Sequence, residues 1–117
     1  MTTNANDTAA AVVGRYFAAF GRGDTTTARQ LLSDRLSFKG PFDTFDNADD
    51  LINSLAALAP VVKGVEQRKV MVDGDDVAMF YDMITPMGTS PIAEWHHVTG
   101  GKIDRIQVYF DPRPFAH

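Results

Sequence analysis

KIDRIQVYFDPRP, residues 102–114, is the stretch from which the fold can be worked out. Ile106, Val108 and Phe110 alternate with Arg105, Gln107, Tyr109 and Asp111, which is the period of a strand with one dry face and one wet face. Asp-Pro-Arg-Pro then ends it as a turn, with Arg113 free to close a pocket mouth or to pair with a second copy. The same period runs back through three earlier stretches. Strands are predicted at about 65–73, 77–85, 91–99 and 102–111. They are joined by a hairpin turn at DGDD (73–76), a longer one at PMGTSP (86–91) and a tight one at TGGK (99–102).

Before Lys63-Gly64 the period is helical. Asp7 caps a helix from about Thr8 to Phe20, with Val12, Val13, Tyr16, Phe17 and Phe20 on one face, and GRGD ends it. Asp24 caps a second helix, TTTARQLLS. A short strand, LSFKG, and a turn or loop, PFDTF, follow. Asn47 caps a third helix, ADDLINSLAALA, with Asp49 and Asp50 in the first turn where the helix dipole favours anions; Pro60 closes it. The order α-α-β-α-β-β-β-β predicts an α+β fold with helices on one face of an antiparallel sheet. The pattern predicts a single domain over residues 1–117, with 1–6 expected to fray.

Composition narrows the function classes. A 44% hydrophobic and 22% charged chain is ordinary for a globular domain. A net charge of −4, with eleven scattered Lys and Arg, argues against a nucleic-acid partner. Without cysteine there are no disulfides or thiolate zinc sites, which suits a cytoplasmic location. The N-terminus lacks the basic region of a signal peptide, and no run approaches the roughly 20 apolar residues of a membrane span.

On strand 77–85 both faces are apolar: Val77, Met79, Tyr81 and Met83 on one, Ala78, Phe80 and Ile84 on the other. A sheet with helices on one face alternates with polar residues unless the outer face is also covered. The economical cover is a second copy, making a homodimer; the plain alternative is a locally apolar surface. Asp82 falls in register with Phe80 and Ile84, and Glu94 and His96 share a side with Ile92 and Val98. Acidic groups in apolar sets are costly unless paired, hydrogen-bonded or facing water. An inward cavity between sheet and helices accommodates all three.

With this order of elements, VVGRYFAAFGRGD (12–24) resembles the first helix and turn, and GKIDRIQVYFD (101–111) the last strand, of the SnoaL-like, NTF2-like superfamily. The resemblance covers nearly the whole chain and implies a cone of three helices and a curved sheet around a deep pocket. Its reactions range over isomerases, cyclases, epoxide hydrolases, dehydratases and plain binders, so fold does not settle function. Tyr16 matches the oxyanion-donating tyrosine of the steroid isomerases of this fold, and Glu94 falls near their protonated second donor. Gly40 stands where their general base would be. Asp82 matches one aspartate of the Asp-Arg-Asp set of limonene-epoxide hydrolases, but Phe80 and Val108 replace the other two members. The comparison also points Ile106, Val108 and Phe110 into the pocket.

The candidate catalytic set is therefore Tyr16, Asp82, Glu94 and His96. Phe17, Phe38, Phe80, Ile92, Ile106, Val108 and Phe110 are the candidate ligand-binding wall. His96 or Asp82 would act as base at a carbon acid, with Tyr16 and a protonated Glu94 stabilising the enolate oxygen. This is cofactor-independent isomerisation or aldol-type cyclisation of an apolar polyketide- or steroid-like molecule. His96 and His97 point to opposite faces of a strand and cannot share one metal ion. The bland readings are a hydrogen-bonded core histidine, a satisfied Asp82 and a core tyrosine. They leave a non-catalytic binding module or a dimeric interaction domain as alternatives.

Overall fold

The β-hairpin at Asp76–Thr85 and Gly88–Thr99 supplies much of the inner sheet face on which the first helix packs. The computed structural model describes residues 8–113. In chain order the elements are α1 (Ala9–Gly21), α2 (Thr25–Gln30), β1 (Leu32–Lys39), β2 (Thr44–Phe45), α3 (Ala48–Leu58), a 3-10 turn (Ala59–Val61), β3 (Gly64–Asp73), β4 (Asp76–Thr85), β5 (Gly88–Thr99) and β6 (Lys102–Tyr109). One six-stranded sheet runs β2-β1-β6-β5-β4-β3. Every pairing is antiparallel except β1 with β6. The α+β class and the three helices on a curved, mostly antiparallel sheet are as expected from the sequence.

The local differences have local causes. Asp7 lies outside the described residues; the α1 cap is Thr8, whose hydroxyl accepts from the Ala11 amide. Leu31-Leu32-Ser33 leaves the second helix, because Leu32 starts β1 and is wholly buried there. Asp24 and Asn47 cap α2 and α3 as expected. PFDTF contains the short β2, paired with β1 through Phe38 opposite Phe45. The turn predicted at 86–91 shrinks to Pro86-Met87, closed by Thr85, whose hydroxyl accepts from the Met87 amide. Pro91 then sits inside β5, opposite Asp82. The ladder to β6 starts only at Ala93, so a missing N–H is tolerated there. Gly100 and Gly101 both have positive φ, as a two-residue hairpin turn with the twist of its strands demands. Arg113 folds onto Asp111 (2.7 Å), and these bonds push Asp111 down to about 2. The predicted fraying of 1–6 lies outside the described residues.

Helix α1 lays Val12, Val13, Tyr16 and Ala19 against the inner sheet face of Val77, Met79, Tyr81, Ile92, Val98, Ile103 and Ile106. Three irregularities bend the sheet: one in β3 between Gln67 and Lys69, one where β5 meets β6, and one in β1 between Leu32 and Ser37. At the second, Val98 pairs with Ile103 and His97 with Arg105, so Asp104 is the extra residue. Its carboxylate is held by His97 Nδ1 (2.8 Å) and the Thr99 hydroxyl (2.9 Å). The outer face carries exposed Met71, Phe80, Ile84, Trp95 and Tyr109. Trp95 is clamped between Asp76, which accepts from its indole N–H at 2.9 Å, and the Arg105 guanidinium 4.8 Å above its ring.

Candidate functional site

The two-residue turn fixes which side chains meet. It pairs Val77 with His96, Met79 with Glu94 and Tyr81 with Ile92, so all six share the inner face. Tyr81 and Glu94 are then diagonal neighbours on adjacent strands, within reach of long side chains. The Tyr81 hydroxyl donates to Glu94 Oε2. Glu94 Oε1 lies 2.8 Å from His96 Nε2, and His96 Nδ1 lies 3.2 Å from the Val77 carbonyl oxygen.

This chain of contacts constrains its protons. A carbonyl oxygen only accepts, so Nδ1 carries hydrogen. The Nε2–Oε1 contact then requires a second proton between ring and carboxyl, since a lone pair facing a carboxylate repels. Either an imidazolium faces a carboxylate or a neutral ring faces a carboxylic acid; both forms are neutral overall. His96 is 1% exposed, and the Glu94 side chain 12%. Glu94 is therefore the member that reaches open space, and His96 stands behind it. Burial, reinforced by the Glu94 charge, pushes Tyr16 and Tyr81 well above the ordinary phenol value; both stay protonated as donors. The Tyr16 ring packs edge-on to His96, 6.2 Å between centres.

The open space is a cavity of about 450 Å³ between the helices and the inner sheet face. Its inner end is polar, formed by Tyr16, Tyr81 and Glu94. Its walls are apolar: Phe17, Phe20, Phe38, Leu51, Leu55, Met83, Ile92, Val108 and Phe110. Its mouth carries Phe42, Val61 and Met87, exposed at 57%, 43% and 58%. Among the described residues no lysine or arginine lines the cavity.

Of the residues expected from the sequence, Tyr16, Glu94, Phe17, Phe38, Ile92, Val108 and Phe110 line this cavity. His96 and Ile106 are buried in the layer beneath, His96 joining the site through Glu94. Asp82 and Phe80 are corrections. They project from the outer face, Asp82 towards Arg68 (3.4 Å) and Phe80 into an exposed patch. With Asp82 outside, no aspartate of β4 can act in the cavity. Tyr81 takes the inward place beside Glu94 and was missed. Loop parity could have found it: a turn with an even number of residues pairs odd positions with even ones. Glu94 and His96 then face odd-numbered Tyr81, never Asp82, whether the loop holds two residues or six. His97 faces outward onto Asp104. Among the described residues no group of three His, Cys, Asp or Glu is placed to hold a metal ion, and no helix is long and apolar enough to cross a membrane.

No curated protein matches the chain. An NTF2-like protein of unknown function from Cytophaga hutchinsonii superposes with a TM-score of 0.85 at 25% identity, covering 98% of each chain. An LEH-like epoxide hydrolase from Mycobacterium tuberculosis superposes at 0.76 with 20% identity, covering 91% of this chain and 84% of its own. A protein with a ketosteroid isomerase-like fold from Catenulispora acidiphila, in complex with trimethylamine, superposes at 0.72 with 16% identity, covering 86% and 85%. The last two likenesses show the fold alone. The family model described as the SnoaL-like domain matches residues 13–106.

Proposed function

The chain belongs to the SnoaL-like domain family, and on that premise we propose that it binds an apolar ketone in its cavity and moves a proton at the carbon beside the carbonyl. The observation that carries this reading is a carboxyl, Glu94, at the inner end of a mostly apolar cavity, with an imidazole behind it and phenols beside it. In the imidazolium–carboxylate form, Glu94 takes a proton from the α-carbon. The C–H electron pair moves into the enolate, whose oxygen accepts a hydrogen bond from the Tyr16 hydroxyl. The His96 positive charge, no longer offset by Glu94, balances the enolate through the low-dielectric wall. Return of the proton from Glu94 to another carbon completes an isomerisation. Attack of the enolate carbon on a second carbonyl of the same molecule gives an aldol-type cyclisation, with the proton delivered to the new alkoxide. Neither route needs a cofactor. The role first given to Asp82 or His96 passes to Glu94, with His96 as a positioning residue.

Exchange of α-hydrogens of a long-chain methyl ketone for deuterium, followed by NMR, tests the reading directly. Glu94→Gln should slow exchange by about 10²-fold or more while ketone binding persists. Undiminished exchange in that variant would reject Glu94 as the base. A non-catalytic binding module is the second reading, favoured by one observation: no buried side-chain polar atom among the described residues lacks a partner, as in a purely structural network. The exposed apolar outer face supports pairing of two copies through β3–β6, with Phe80 and Trp95 at its centre.

A further inference from the structure

We propose that the ligand is an open-chain amphiphile held head-inward, with an uncharged carbonyl head at Glu94 and Tyr16 and an apolar tail long enough to leave the cavity and lie across Phe42, Val61 and Met87. This deepens, and rests on, the ketone reading above.

Three observations carry it. The first is the gradient along the cavity. The polar groups Tyr16, Tyr81 and Glu94 gather at the inner end, and the lining between that end and the mouth is aliphatic or aromatic except for Ser54 and for Thr85, whose hydroxyl is taken up by the Met87 amide and the Gly88 carbonyl. A ligand with polar groups spread around its perimeter would leave most of them unpaired against Phe17, Phe20 and Leu55, at a desolvation cost that apolar contact does not return.

The second is charge. Among the described residues no lysine or arginine lines the cavity, carboxyl groups stand at both the inner end (Glu94) and the mouth (Asp43), and the one cation near the head, His96, is already matched by Glu94 when an ionised head arrives. A fatty acid or phosphate ester would bring a second negative charge to Glu94 in a poorly solvated space. The phenols are donors, so a neutral acceptor such as a carbonyl oxygen fits.

The third is the mouth. Phe42 comes from the loop between β1 and β2, Val61 from the turn after α3, and Met87 from the tip of the β4–β5 hairpin. Three separate elements each present an exposed apolar side chain to one opening, and all three line the cavity wall as well. An apolar rim continuous with an apolar interior is the surface that a protruding alkyl tail would cover. A compact ring system sealed inside would leave the rim bare.

Calorimetric titration with methyl ketones bearing hexyl, nonyl and undecyl tails, and with the ionised alkanoic acids of matched length, tests this. Affinity should climb with tail length, by up to about fourfold per methylene. Each acid should bind at least about tenfold more weakly than its ketone. In Phe42→Ser/Met87→Ser, the gain from nonyl to undecyl should disappear. A gain that survives in the double variant, acids that match ketones, or no binding by any ketone overturns the proposal. So does loss of phosphatidylcholine-vesicle binding in the double variant with ketone affinities unchanged, which would assign the rim to a lipid surface. Deuterium exchange on the same ketones separates this inference from catalysis. Tail dependence without exchange retains the orientation and removes the chemistry; exchange without tail dependence does the reverse.

Discussion

Replacing Glu94 by Gln and by Leu separates hydrogen bonding from charge at the inner end of the cavity. In Glu94→Gln the amide N–H donates to His96 Nε2 while Nδ1 keeps its proton on the Val77 carbonyl, and the amide oxygen accepts from Tyr81. Every partner stays satisfied, so the loss of stability should not exceed about 1 kcal/mol. Glu94→Leu leaves the ring nitrogen and the Tyr81 hydroxyl without partners, in positions where both residues are buried. Each orphaned group costs about 1–3 kcal/mol. Apolar contact made by the new leucine offsets part of this, giving a net loss of about 3 kcal/mol. With a urea m-value of about 1.5 kcal/mol/M, the unfolding midpoint should fall by about 2 M for Leu and by less than about 0.7 M for Gln. Urea titration followed by circular dichroism measures both. Equal losses in the two variants, or no loss with Leu, would mean that Glu94 exchanges its bonds with water freely. The shared-proton description of the Glu94–His96 pair would then be wrong.

Other expectations follow from the same geometry. Tyr16→Phe should lower ketone α-exchange by about 10²–10³-fold while ketone affinity changes less than about tenfold; a parallel fall in both would make Tyr16 a binding residue only. Tyr16 and Tyr81 have raised folded-state values, so the unfolded chain releases their protons first. Their contribution to stability is full below about pH 10 and declines as pH rises above it. In an alkaline absorbance titration, each of Tyr16→Phe and Tyr81→Phe should remove one tyrosinate from the step that coincides with unfolding; ionisation ahead of unfolding contradicts this. Phe80→Lys, on the outer face, should convert a dimer to a monomer in light scattering with ketone binding retained; an unchanged mass removes that face as the interface.

Much of this architecture was legible from period and punctuation alone. Caps at Asp24 and Asn47, the change of period after Lys63-Gly64 and the Gly100-Gly101 turn give the α+β order. Tyr16, Glu94 and the wall from Phe17 to Phe110 followed from face assignment and from the resemblance. The failures share one origin. Strand β4 is apolar on both faces, so alternation cannot say which face is inward; only the register against β5 does, and the loop between them sets that register. Taking Asp82 inward put Phe80 with it and Tyr81 outside. Helix α2 was drawn too long because Leu31 and Leu32 fit a helical face as well as the start of a strand. The burial of Leu32 in the sheet decides it, and that is a tertiary fact.

Asp104 works as a phase shifter. Counting back from the Gly100-Gly101 turn, an unbroken ladder would set Glu94 against Gln107; the extra residue sets it against Val108 instead. Drawing Asp104 into the ladder opposite His97 would therefore turn the rest of the final strand inside out, offering Arg105, Gln107 and Tyr109 to the hollow and Ile106 and Val108 to water, whereas deleting it would keep the present faces. A drift of one position in the pairing of this hairpin would exchange an oily receptacle for a hydrophilic one while leaving the backbone outline almost the same.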